Sequence, residues 1–182
     1  MNKVYVLRHG ETVQNKSEIM QGHMDTILDE KGINQAKVAK QTIDKIGIDL
    51  IISSPLKRTL ETALIASGGH IPIIKDYRLI SRNHGEFQGL SRSEINLKEY
   101  WNLKINKQYQ KAESVGDLYN RIDNVIKDVK TKYKDKKVLL VTHSGICRIL
   151  YYYFNGIPED GDLTEYESTT CSVEEYSLED IK

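Results

Sequence analysis

Three short runs constrain this chain more than anything else in it: Val4–Leu7, Leu50–Ile52 and Val138–Val141 are apolar without polar alternation. Such runs predict strands buried on both faces of a sheet rather than strands with one wet side. Helical spacing separates them. Asp29 is set to cap a helix whose apolar residues Ile33, Ala36, Ala39, Ile43 and Ile46 recur every three or four positions, with Gly47 to close it. "SPLKRTLETALIAS" predicts a helix with Ser54 as N-cap and Pro55 at its first position. "IPIIK" predicts a further short strand, and Ser114 to Lys134 returns to helical spacing. "ICRILYYYFNG" predicts a helix stopped by Gly156, and "SVEEYSL" a last, alternating strand. Strands alternating with helices predict a three-layer α/β/α sandwich around a mostly parallel sheet. Residues 76–115, less regular and holding the one tryptophan, read as a helical insertion or lid that lines a substrate pocket. With no repeat, low-complexity stretch or linker, residues 1–182 read as a single domain.

Two of the buried runs end alike. The first delivers Arg8, His9 and Gly10, and the other delivers Thr142, His143, Ser144 and Gly145. Parallel sheets place their ligands at the carboxyl ends of their strands, so both histidines are expected at one edge. Gly10 is expected to turn the backbone through positive φ or to let it approach a ligand. The run at Ile52 delivers Ser53 and Ser54 to that edge, with Arg58 in the first turn of the next helix. Guanidinium forks and helix N-termini both suit phosphate oxygens. Arg8, His9, Arg58 and His143 are therefore expected to converge on one phosphoryl group. Taken singly, each has an ordinary structural role: Arg8 as a strand cap, Arg58 as a solvated helix residue, His143 as a core histidine.

Lys plus Arg and Asp plus Glu both number 26, so no global field favours nucleic acid or an anionic membrane. The basic stretch Lys130–Lys137 reads as a solvated helix end. Cys147 and Cys171 show neither paired metal-ligand spacing nor a disulfide framework, which suits a reducing compartment. Only four apolar residues precede Arg8 in a row, too few for a signal core or a membrane span. The expectation is a soluble cytoplasmic protein without a metal or cofactor.

"LRHGETVQN", "QGHMDTILDEKGINQA", "ISSPLKRTLETA" and "VLLVTHSGICR" together resemble the histidine phosphatase superfamily, its phosphoglycerate mutase-like branch. The resemblance implies a phosphomonoesterase acting on a small phosphorylated metabolite through a phosphohistidine on His9. Arg8, Arg58 and His143 would hold the transferred phosphoryl group, and Asn15, Gln21, Gly22 and Ser144 would contact substrate. No metal is implied, because the basic cluster supplies positive charge. The family's general acid is a glutamate in a segment resembling L-x-E-R-x-x-G-x-x-x-G. This chain reads "RLISRNHGEFQGLS", with Ser81 at that position. Three readings stay open: His84 is a relocated acid, Glu86 reaches in, or the acid is absent and the protein is a slow phosphatase or a phosphoryl-binding relative. Phosphoglycerate mutase-type transfer is the alternative activity. Against it, the stretch between Ser81 and His143 is short and shows no clear arginine pair for a substrate carboxylate.

Overall fold

The computed structural model describes residues 3–179. Its centre is a sheet of β1 (Lys3–Arg8), β2 (Leu50–Ser53), β3 (Ile73–Lys75), β4 (Val138–Thr142) and β5 (Val173–Ser177), in the order β3-β2-β4-β1-β5. All neighbours are parallel except β5, which runs antiparallel to β1 at one edge. The helices are α1 (Val13–Lys16), α2 (Glu30–Ile46), α3 (Lys57–Ser67), α4 (Leu97–Tyr100), α5 (Val115–Lys132) and α6 (Ser144–Asn155).

Strand alternation sorts the core into two layers. Tyr5, Leu7, Ile51, Leu139 and Val141 pack against Ala39 and Ile43 of α2 and Ala63 and Ala66 of α3. Val4, Val6, Ile52, Val138 and Leu140 face the other way, against Leu118, Ile122 and Ile126 of α5 and Ile146 and Ile149 of α6. Each such aliphatic side chain contributes about 1.5–3 kcal/mol on burial. This is the three-layer sandwich that the uninterrupted apolar runs predict.

Several helix boundaries follow their capping residues, and the start of α3 does not. Asp29 accepts from Gly32 N at 2.7 Å and Gly47 ends α2 at φ 72°. Ser114 accepts from Asp117 N at 3.0 Å and Gly156 follows α6. The helix expected to begin at Pro55 instead begins at Lys57, with Leu56 at its N-cap and no side-chain cap. Ser54 Oγ accepts only a long bond from Leu56 N, at 3.4 Å, while Lys57 N donates to Asp25 Oδ1 at 2.8 Å.

The 76–115 excursion holds less helix than its composition suggests: three single 3₁₀ turns (Tyr77–Leu79, Gly85–Phe87, Arg92–Glu94) and the four-residue α4. What orders it is a buried cation. Arg82 is fully buried, donates through Nε to Glu113 O at 2.9 Å and through Nη1 to Tyr100 O at 2.8 Å, and lies 3.7 Å over the Tyr100 ring. Backbone bonds from Met20 N to Leu90 O and from Gly89 N to Met20 O, both 2.9 Å, tie the excursion to the loop after α1.

Candidate active site

Strand register builds the site. Arg8 pairs with Thr142 across β1 and β4, so the next residues, His9 and His143, leave the sheet side by side. His9 N donates to Thr142 O at 2.9 Å, and the two rings meet edge to face with centroids 5.3 Å apart. On the other flank Ser53 pairs with Val141, which brings Ser54 beside His143; Ser54 Oγ lies 2.7 Å from His143 Nε2.

His9 has a defined tautomer. Its Nδ1 sits 2.7 Å from Gly10 O, and because a carbonyl can only accept, the proton is on Nδ1. Nε2 therefore carries the lone pair, and Arg58 Nε donates to it at 3.3 Å. Burial first, then the Arg58 and Arg8 guanidiniums, hold the His9 ring well below the usual histidine range. His143 is pushed the same way by burial, then by Arg58 and His9. Both rings are neutral near pH 7.

Arg58 is buried on α3, yet its guanidinium has carbonyl partners: Nη1 donates to Met24 O at 2.6 Å and Nη2 to Gly22 O at 2.9 Å. Burial lowers it to about 10, so it stays charged. Arg8 Nη1 donates to Ser168 O at 2.5 Å, while its Nε, like His143 Nδ1, is buried without a hydrogen-bond partner in the protein. A buried polar atom without a partner costs about 1–3 kcal/mol. Two of them beside His9 mark a place built to meet oxygens. The N-terminus of α6, following His143, has no side-chain cap, so its first amides add positive potential to the same edge.

Gly10 departs from the expectation attached to it. It is not among the residues at positive φ; a Cβ there would lie 2.5 Å from Gly32 O, so the glycine admits α2 rather than a ligand. Gly145 serves the site more directly, because a Cβ on it would lie 2.8 Å from Trp101 Cη2. The indole thereby closes over the start of α6.

A cavity of about 160 Å³ opens onto His9, and its walls include Arg8, Asn15, Gln21, Gly22, Arg58, Ser81, His84, His143 and Ser144. Of the residues singled out in the sequence for catalysis or substrate contact, all but Glu86 lie on it. Asn15 also accepts from Thr12 N at 3.1 Å, and Gln21 accepts from Thr26 Oγ1 at 2.7 Å, so both are fixed by their own loop. His84 Nδ1 lies 2.7 Å from the Tyr100 hydroxyl; burial, then Arg82 and His23, push the ring down to about 3. It can donate an N–H but carries no imidazolium proton at neutral pH. Glu86 is not on the cavity wall and accepts from Gln110 N at 3.0 Å.

Arg92 and Trp101 of the 76–115 excursion line the same cavity, as the pocket-lining reading of that segment expects, whereas Arg148 and Glu167, also on the wall, lie outside it and were not singled out. Arg148 had a signal: it follows Ser144 by four positions and so shares its helix face. Glu167 lies in the irregular segment between α6 and β5, where no periodicity points inward.

The model of the histidine phosphatase superfamily (branch 1) matches residues 4–181. Phosphoserine phosphatase 1 of Hydrogenobacter thermophilus is 32% identical over 186 residues, covering 98% of this chain and 86% of that protein. The solved structure of Bacillus stearothermophilus YhfR superposes with a TM-score of 0.86 at 29% identity, covering 96% of this chain and 90% of that one. A mycobacterial glucosyl-3-phosphoglycerate phosphatase, solved with VO3, gives a TM-score of 0.83 at 25% identity, with coverages of 96% and 92%. On this match, and with two neutral strand-end histidines flanked by half-buried Arg8 and buried Arg58, the chain belongs to the histidine phosphatase superfamily.

Proposed function

We propose that the protein is a phosphomonoesterase that hydrolyses a small phosphorylated metabolite through a phosphohistidine on His9. The carrying observation is the His9 tautomer: Nδ1–H is tied to Gly10 O, and the lone pair on Nε2 is directed to where Arg58 Nε stands. In this reading Nε2 attacks phosphorus, the P–O ester bond breaks, and the leaving oxygen takes a proton. Water then attacks the phosphohistidine and restores the free ring. Arg8, Arg58 and His143 hold the three equatorial oxygens, and Asn15, Gln21, Gly22 and Ser144 position the ester. The cations neutralise the developing charge, so the reading needs no metal. It places the reaction in the cytoplasm, supported by two unpaired cysteines, and involves no nucleic acid or membrane; no helix among the described residues is long and apolar enough to cross a membrane.

The leaving-group proton is the weak point of the site. Ser81 cannot supply it near neutral pH, His84 is neutral with its Nδ1 engaged, and Glu86 is elsewhere. With a serine at the family's acid position, the phosphatase of this reading is fast on esters whose leaving group departs unprotonated and slow on alkyl esters. Two measurements test the reading: phosphate release from p-nitrophenyl phosphate, and labelling by an activated phosphoryl donor. The parent acquires acid-labile label and turns over; His9→Ala does neither while keeping its fold. Acid-stable label, or label surviving in His9→Ala, would sink it.

A further inference from the structure

Arg148 is a buried cation that the protein itself satisfies poorly. It sits on α6 with its side chain 7% exposed, on the wall of the His9 cavity, with its guanidinium 5.0 Å from the Trp101 ring. None of its five N–H donors makes a hydrogen bond among the described residues; its one ionic contact is Nη2 to Glu167 Oε1 at 3.6 Å. The same Oε1 is bonded at close range by Arg92 Nη2, from the excursion. Two guanidiniums from distant parts of the chain thus converge on one carboxylate oxygen, and that carboxylate belongs to a side chain that is 58% exposed. The fork stands on the cavity wall with donors that the protein leaves unused, so an anion entering the cavity finds them available. Exposed Glu167 is held mainly by Arg92 and can rotate away without disturbing the core.

Position supplies the rest. Ser144 and Arg148 are one helical turn apart on one face, about 6 Å along α6. The cavity is continuous from His9 past Ser144 and Gly145 to Arg148. A ligand with its phosphoryl group at His9 and a planar anion a few bonds away reaches both ends.

Resting on the phosphatase reading for what occupies the His9 end, we propose that Arg148 and Arg92 form a second anion subsite that takes a carboxylate of the substrate, and that Glu167 is the internal carboxylate it displaces. The substrate class is a short-chain phosphorylated carboxylic acid. The present geometry argues for a carboxylate over a second phosphoryl group, because the anion these arginines already hold is a carboxylate. Glu167 then acts as a selectivity device: a phosphate ester without a carboxylate leaves the ion pairs in place, whereas one with a carboxylate exchanges them.

The test uses O-phosphoserine and O-phosphoethanolamine, which differ only by the carboxylate. Dissociation constants are measured by calorimetry on the full chain with His9→Ala, and kcat/KM on the parent. Tenfold or greater preference for O-phosphoserine is expected in both. Arg148→Lys and Arg92→Gln should reduce that preference at least fivefold, and Glu167→Gln should raise it severalfold. Equal affinity for the two probes, or a preference that survives both arginine changes, overturns the subsite. A preference lowered by Glu167→Gln overturns the exchange, since Glu167 would then be a fixed support. Arg92 and Glu167 are partly exposed, so their variants decide the question even if Arg148→Lys fails to fold. Binding preference without any turnover would refute the phosphatase reading and leave the subsite standing.

Discussion

The two halves of the cavity are built on different principles. The half that holds His9, His143 and Arg58 grows out of strand ends and a helix start, where register leaves no choice of position. The half that holds Ser81, His84, Arg92 and Trp101 comes from a segment of single turns, ordered by one buried guanidinium and its aromatic neighbours. The contrast separates chemistry from selectivity. Where the backbone lattice places a side chain, small errors are suppressed; where side chains place it, substitutions such as a serine at an acid position can be accommodated without rebuilding the sheet.

The largest expected effect lies in the first half. Arg58→Ala should cost about a thousandfold in kcat/KM for an aryl phosphate, in the range of losing a preorganised charge donor. Arg58→Lys should recover only part of it, because a lysine cannot donate at once to Gly22 O, to Met24 O and toward His9. Equal rates for the two variants would remove the fork geometry from the account and weaken the contrast between the halves.

Next comes the anchor of the second half. Arg82→Met removes two charge-assisted bonds and the stacking on Tyr100, and should lower unfolding stability by about 2–4 kcal/mol in urea titration. A shift under about half a kcal/mol would mean that the excursion is held by something other than this cation.

Ser81→Glu sharpens the comparison from the chemical side. General acid assistance is worth about a hundredfold to ten-thousandfold for a poor leaving group and little for a good one. The substitution should therefore raise the ratio of glycerol phosphate to p-nitrophenyl phosphate kcat/KM, by about a hundredfold at the low end of that range. His84→Ala should leave the ratio near that of the parent. If His84→Ala instead collapses it, the neutral imidazole is the working donor.

The smallest effect concerns protons. His84 is neutral in the fold down to about 3 but takes a proton below about 6.5 when unfolded, so its contribution is whole above that pH and drains away as pH falls. Substituting it by Gln should flatten the acid-side stability slope by about 1 kcal/mol per pH unit below 6.5, read from urea midpoints between pH 7.5 and 5. An unchanged slope would place the ring in contact with solvent.

Much of this protein is legible without coordinates, and the reason is periodicity. Val4–Leu7 and Val138–Val141 can be satisfied only inside a sheet covered on both faces, and their ends then bring His9 and His143 to one edge. Capping chemistry at Asp29, Gly47 and Ser114 is local and reads directly from residue types. What the sequence could not settle depended on partners distant along the chain. Ser54 looks like a helix cap until the β2–β4 register sets it against His143, and Gly10 looks like a hinge until α2 is laid across it. His84 could be assigned as an acid from its type alone; only burial beside Arg82 and the bond with Tyr100 make it neutral. Arg92, Arg148 and Glu167 come from three segments with no shared pattern, and their meeting at one carboxylate oxygen is a product of tertiary packing. Local order follows from neighbours in sequence, which the chain states outright, whereas charge state and the second half of a binding site follow from neighbours in space.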